Sequence, residues 1–306
     1  MSKKFIITID TEGDGQWNPN APCSTRNAKY IPRFQKLAEK YGFKPTWLTN
    51  YEMANDPFYV EYMQDCLKRN TCEIGMHLHA WNNPPEYTLN KINDQRDYLF
   101  EYPKEVMDEK IKVLTSKLEE NFNIKMLSHR SGRWSTDETY FELLYKYGYK
   151  VDCSVTPYMN WEHCVGSTGM PGSDYRECPT QPYYIYKDIL EVPVSIRPIK
   201  YFAPDSICSL KSFLHEIKWS GRVRDAWIRP TKNPSFLALK KVLDIVNADS
   251  DYAMFMLHSS EMMPGGSPSF PNEDSIERLY ECIERLFAYA KQCGYEGCKL
   301  SDFKLK

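Results

Sequence analysis

The chain has 306 residues with 42% hydrophobic and 26% charged, the proportions of a soluble globular enzyme with one large core or two small ones. A formal net charge of −2 supplies no basic field, which excludes nucleic acid as an expected partner. No apolar run approaches the ~18 residues of a membrane span, and the stretch after the leading lysines is shorter than the roughly 7–15 apolar residues of a secretory signal, so a cytoplasmic chain is expected.

Phe5–Ile9 is apolar and β-branched, a first strand ending at Asp10. A helix is expected near 30–41, with Phe34, Leu37, Ala38 and Tyr41 on one face and Gly42 as its stop. Short strands follow at 46–50 and at Glu73–His79. Met107, Ile111, Leu114, Leu118 and Phe122 recur at helical spacing. Next come a strand near Met126–His129, a helix at about 137–147 stopped by Gly148, and a strand at Tyr149–Val155. The last expected elements are a strand at Leu190–Ile196, a helix at 235–247, a strand at Ala253–His258 and a helix at 274–291. This alternation implies βαβ units, a parallel sheet and an α/β barrel forming a single domain over 1–306. Residues 158–188 and 197–234, rich in Pro, Gly and aromatics, break the rhythm and read as long loop insertions. The ten cysteines include no CxxC pair, and free thiols are expected.

In a parallel barrel the chemistry gathers at the C-terminal ends of the strands, and here strand after strand ends in a titratable or cationic group. His77 and His79 stand two residues apart on one strand, so both imidazoles share a face and can converge on one metal; a pair of structural histidines is the alternative. In TIDTEGD (8–14), Asp10 and Glu12 also share a face, which allows one to bind metal and the other to accept a proton. Two histidines and a carboxylate make up a catalytic zinc-type site. His258 closes the apolar run MFMLH and is the natural proton donor for a leaving amine, with Glu261 or Asp152 to set its tautomer. Arg130 and Arg133 in HRSGRW are candidates to orient a carboxylate, and Trp134 is a candidate sugar platform.

Taken in order, TIDTEGD, EIGMHLHAW, HRSGRW, VDCSVTP and MFMLHSSE resemble the five motifs of the polysaccharide deacetylases, the NodB-like domain of carbohydrate esterase family 4. The resemblance implies a distorted (β/α)7 barrel, one divalent metal ion (zinc foremost) and hydrolysis of N-acetyl groups on a sugar. It matches Asp10 to the family's base, His258 to its acid and His77 to its first metal histidine. This sequence departs from the pattern at Thr11, where most members carry the metal-binding Asp, leaving Glu12 as the nearest replacement. It departs again at Trp81, where the second metal histidine falls, so that His79 must stand in. The motif set is similar to a variant branch associated with bacterial surface-glycan clusters. That implies a small-molecule or lipid-linked N-acetylated sugar, a precursor of O-antigen or capsule, as substrate. Hydrolysis of another C–N bond, as in allantoinase-like members, and a metal-free glycan-binding barrel are the competing expectations.

Overall fold

The structure is a computed structural model that describes residues 2–16, 22–200 and 223–305. Strand β1 (Lys4–Thr11) lies within a sheet that also contains β2 (Thr46–Thr49), β3 (Glu73–Leu78), β4 (Ser128–Ser131), β5 (Val151–Asp152), β6 (Tyr183–Tyr186), β7 (Ile189–Glu191) and β10 (Tyr252–His258). The spatial order is β10-β1-β2-β3-β4-β5-β7-β6, with β11 (Glu296–Cys298) added to β1. Every pairing is parallel except the β6–β7 hairpin. A separate antiparallel pair joins β8 (Ile196–Lys200) to β9 (Val223–Trp227).

Side chains alternate across this sheet and both faces are buried, as a parallel sheet requires. Ile6, Leu48, Val151, Cys153, Leu190 and Met254 fill the concave side. Phe5, Ile7, Ile9 and Phe255 point the other way, onto the helices α1 (Ile31–Lys40), α4 (Lys104–Phe122), α6 (Phe236–Asp249) and α7 (Glu273–Gln292). Phe34 of α1 and Phe287 of α7 meet Phe255 there, with ring centroids 6.0 and 5.6 Å away. Full burial of such side chains stabilises the fold by roughly 1.5–3 kcal/mol each.

The sheet curls into a half-barrel, in keeping with the barrel expected from the strand–helix alternation and with the distorted form that the resemblance implies. Its gap is bridged by single bonds rather than a ladder: Met254 N donates to Ser195 Oγ (2.9 Å), and Met256 N to the Ile228 carbonyl (3.3 Å). Between the elements expected from sequence lie α2 (Tyr51–Ala54) and α3 (Pro57–Lys68). Asp56 caps α3 by accepting from Tyr59 N (2.8 Å), and Pro57 occupies its first turn. The helix expected at about 137–147 is α5 (Glu138–Lys146).

Two strands differ from expectation. Tyr149–Val155 is reduced to Val151–Asp152, because Ser154 N turns to the Asp152 carboxylate instead of a neighbouring strand. Leu190–Ile196 splits into β7 and β8 around Pro193, which has no N–H to give to a ladder. The insertion at 158–188 contains β6, and that at 197–234 contains β9; residues 201–222 of the latter lie outside the described residues. The nine described cysteines are free thiols, and Cys208 also lies outside. Among the described residues, no helix is long and apolar enough to cross a membrane.

Candidate metal and catalytic site

Parallel register carries the sequence-predicted residues to one rim. Asp10 on β1 stands opposite His258 on β10, and His77 on β3 stands opposite Arg130 on β4. Asp10, His77 and His258 line a pocket of about 230 Å³, together with Glu12, His79 and Ser131, while Arg130 is buried behind Asp10. Trp81, Arg96, Arg133, Trp134 and Gln16 form its outer part.

Three donor atoms converge on one side. His79 Nε2 lies 3.0 Å from His77 Nε2 and 3.2 Å from Glu12 Oε2, and His77 Nε2 lies 3.8 Å from the same oxygen. His77 Nδ1–H donates to the Arg130 carbonyl at 3.0 Å, which leaves the Nε2 lone pair turned inward. Burial pushes both imidazoles down to about 4, so they are neutral at physiological pH, the form in which histidine binds metal. Burial likewise raises the Glu12 carboxyl above its ordinary value. With no cation between them, two inward lone pairs would face a carboxylate across about one ion's width. Atoms so spaced can each make the ~2.0–2.2 Å bonds of a divalent site, so this donor set fits a metal.

The backbone at Glu12 is held from behind. Asn27 Nδ2 donates to the Glu12 carbonyl (2.7 Å) and to Ser259 Oγ (2.8 Å), while Glu12 N donates to the same Ser259 oxygen (3.1 Å). On the His79 side, a Cβ at Gly132 would stand 2.9 Å from His79 Cδ2 and 2.5 Å from the Leu78 carbonyl oxygen. Only glycine leaves that imidazole its place. The next two residues, Arg133 and Trp134, have φ of +57° and +67°. Non-glycine residues held in this region cost of order 1–3 kcal/mol each.

Asp10 sits across the pocket on a buried cation. Arg130 Nη1 donates to Asp10 Oδ1 at 2.6 Å, Nη2 to Thr8 Oγ1 at 2.9 Å, and Nε to the Cys153 carbonyl at 3.1 Å. Burial alone would raise the Asp10 carboxyl, but Arg130, His77 and His258 outweigh it and hold Asp10 well below the usual carboxylate range. Its other oxygen lies 3.7 Å from His258 Nε2. His258 Nδ1–H donates to Glu261 Oε2 (3.1 Å), and Glu261 also accepts from the His258 backbone N (3.0 Å). Arg229 Nη2 donates to both Glu261 oxygens at 3.0 and 3.2 Å. Burial and Arg229 oppose the charge on His258; Glu261 and Glu12 overcome them and raise it above the ordinary histidine value.

Of the sequence-predicted residues, Asp152 does not join this group. It accepts from His129 Nδ1 at 2.6 Å on the helix-facing side of the sheet, because Val151 and Cys153 take the inward positions. Of the two acids considered for the tautomer of His258, it is Glu261 that reaches its Nδ1, and Arg229 Nη2 stands 3.1 Å from the same nitrogen. Arg133 lines the pocket, but its guanidinium is spent on backbone: Nη1 donates to the Arg96 carbonyl, and Nη2 to those of Cys164 (3.1 Å) and Val165 (3.0 Å). Trp134 roofs Arg130, whose guanidinium carbon is 4.8 Å from the ring centroid. Sequence reasoning missed Asn27, Ser259 and Arg229. Arg229 had no local signal inside a Pro-rich insertion, whereas Ser259 directly follows the marked His258.

No protein-family model matches the sequence, and no curated protein is similar to it. Solved structures similar to the chain include a 4-alpha-glucanotransferase from Thermococcus litoralis, 14% identical, with a TM-score of 0.55 over 98% of this chain and 40% of that one. They also include a protein described as a polysaccharide deacetylase from Mycobacterium smegmatis, 11% identical, with a TM-score of 0.48 over 100% of this chain and 96% of that one. A third, described as a polysaccharide deacetylase involved in O-antigen biosynthesis, comes from Bordetella bronchiseptica: 11% identical, TM-score 0.45, covering 94% of this chain and 91% of that one. At 14% identity the likeness to the glucanotransferase speaks for a shared fold alone, and the chemistry has to be argued from the site itself.

Proposed function

We propose that this pocket is the active site of a metal-dependent hydrolase that removes an N-acetyl group from a sugar. The observation that carries the reading is the facing set Glu12, His77 and His79 beside an ionised Asp10 and a protonatable His258, all on one strand-end rim. A carboxylate held as low as Asp10 takes a proton only from an acidified donor, and a divalent ion bound by Glu12, His77 and His79, zinc foremost by its N/O donor set, would both acidify water and polarise the acetyl carbonyl.

The chain's own residues do the rest. Asp10 Oδ2 accepts the proton of the attacking water while Arg130 fixes Oδ1, so the acceptor cannot swing away. His258 donates from Nε2 to the departing nitrogen, which is too basic to leave as an anion; Glu261 steadies the charged imidazole. Water and amide are consumed, and acetate and a free amine result. Trp81 and Trp134 wall the pocket with flat apolar surface suited to a sugar ring. A precursor of a bacterial surface glycan as substrate is supported by the TIDTEGD, HLHAW and HRSGRW motif set. The test is metal analysis of the purified protein combined with acetate release from a panel of N-acetylated sugars, including nucleotide-linked ones. Stoichiometric metal and acetate release are expected. Cleavage of cyclic amides or ureides in place of acetamides would move the reading to another C–N bond, and a metal-free protein that binds sugars without turnover would end it.

A further inference from the structure

The outer part of the pocket holds polar groups that the hydrolysis above leaves unused. Arg96 lines the pocket, and among the described residues its side chain makes no ion pair or hydrogen bond. Its Nε is nonetheless buried without a partner, and so is the indole Nε1 of Trp81. The two side chains adjoin, the Arg96 guanidinium carbon lying 5.3 Å from the Trp81 ring centroid. Trp81 in turn stacks on His79, with centroids 4.3 Å apart and planes 23° from parallel, so this pair sits directly beside the proposed metal ligands. Arg133 reinforces the arrangement, since its guanidinium donates to the Arg96 carbonyl and ties that loop to residues 164 and 165.

Buried donors without acceptors are costly, and each calls for an explanation. Both orphaned atoms are donors, and the Arg96 guanidinium brings a positive charge to the pocket with no acid paired to it among the described residues, so the group it suits is an acceptor, and an anion above all. We propose that Arg96 and Trp81 form a subsite for an anionic group, phosphate or carboxylate, carried by the substrate close to its acetamide. This deepens the deacetylase reading of the same pocket and rests on it. The substrate class becomes an acidic N-acetylated sugar, either a sugar phosphate (free or as part of a nucleotide diphosphate) or a uronic acid.

The test measures binding separately from turnover. The metal-loaded protein is titrated calorimetrically with N-acetylglucosamine, its 1-phosphate and the corresponding N-acetylated uronic acid, for wild type, Arg96→Gln and Arg96→Lys. Wild type is expected to bind one of the charged sugars at least about 10-fold more tightly than the neutral one, in the range of a charge-assisted contact. Arg96→Gln is expected to erase that preference and Arg96→Lys to keep part of it, with the preference falling as salt is raised. Whichever charged sugar gains, phosphate or carboxylate, identifies the source of the anion. Equal affinity for charged and neutral sugars, or a preference that survives Arg96→Gln, overturns the subsite. Acetate release in the same samples reads the deacetylase proposal: binding preference without acetate sinks the hydrolysis and leaves the anion site standing. Should Arg96→Gln not fold, Arg96→Lys and Trp81→Phe, which removes the second donor alone, carry the same comparison.

Discussion

Opposite faces of one sheet carry two histidine–carboxylate groups with opposite characters. On the helix-facing side, His129 has both ring nitrogens engaged, Nδ1 with Asp152 at 2.6 Å and Nε2 with the Tyr140 hydroxyl at 2.9 Å, and it is sealed from solvent. On the inward side, one residue away along β4, Arg130 is bonded to Asp10 from behind the pocket. There the Nε2 atoms of His77 and His79 stand 3.0 Å apart, and His79 Nδ1 has no partner. A completed network rigidifies, whereas an incomplete one at a strand end awaits a ligand. The alternation of a β-strand decides which residue goes where, so residue type alone cannot separate structure from chemistry.

The largest contrast between the two groups comes from removing histidines. His77→Ala with His79→Ala is expected to abolish metal uptake and activity while the melting temperature stays close to wild type. Asp152→Ala should do the reverse, losing about 3–5 kcal/mol of stability by leaving a buried partner uncompensated, with metal uptake intact. Metal content and denaturant unfolding of both variants measure this. Stoichiometric metal in the double alanine variant would place the site elsewhere.

Asp10→Asn probes the inward group next. Turnover should fall by roughly 10²–10⁴, the range of general acid–base contributions, while metal remains bound by Glu12, His77 and His79. If metal is lost with the charge, then Asp10 is itself a ligand and the division of labour between the two carboxylates is wrong. Gly132→Ala tests how tightly that side is built. The added Cβ would meet His79 Cδ2 at 2.9 Å and the Leu78 carbonyl at 2.5 Å. Displacing the imidazole should weaken metal affinity by about 10–100-fold, the usual cost of disturbing a ligand's support. A chelator competition titration reads it, and unchanged affinity would mean that the loop gives way instead of the ring.

How much of this was legible follows the same division. The strand–helix alternation and the strand-end residues Asp10, Glu12, His77, His79, Arg130 and His258 were readable, because they depend on local periodicity and on the rule that parallel strands collect chemistry at their C-terminal ends. Asp152 was misplaced because its strand is only two residues long, too short to show which neighbour faces inward. Arg229 was unreadable: it reaches Glu261 only because the segment after β9 folds back beside β10, and no periodicity encodes that return. Helix α3 was overlooked although Asp56-Pro57 is a cap followed by a first-turn proline, a signal that residue order did contain.

The smallest effect expected is a displacement of the pH profile, and it tests whether the inward group is tuned as well as assembled. His258 is faced by Asp10 and Glu12 from the β1 end, by Glu261 from the turn after β10, and by Arg229 from the segment after β9. The carboxylates favour its charged form, and burial and Arg229 oppose it, with a net rise. An acid whose pKa is raised stays protonated to higher pH, so activity should fall on the alkaline side as pH passes through that raised value. Glu261→Gln keeps a hydrogen-bond acceptor for Nδ1–H but removes the negative charge, while Arg229, now without its partner, remains. Both changes act in one direction: the pKa of His258 drops, and the alkaline limb of kcat moves to lower pH. At a pH well below that limb, turnover should change little, because the proton is still present and the ring still held. Arg229→Gln should move the limb the opposite way, since it takes away a charge that opposes protonation. If both variants shift the limb in the same direction, or neither shifts it, the limb belongs to a group other than His258, and the assignment of the proton donor falls with it.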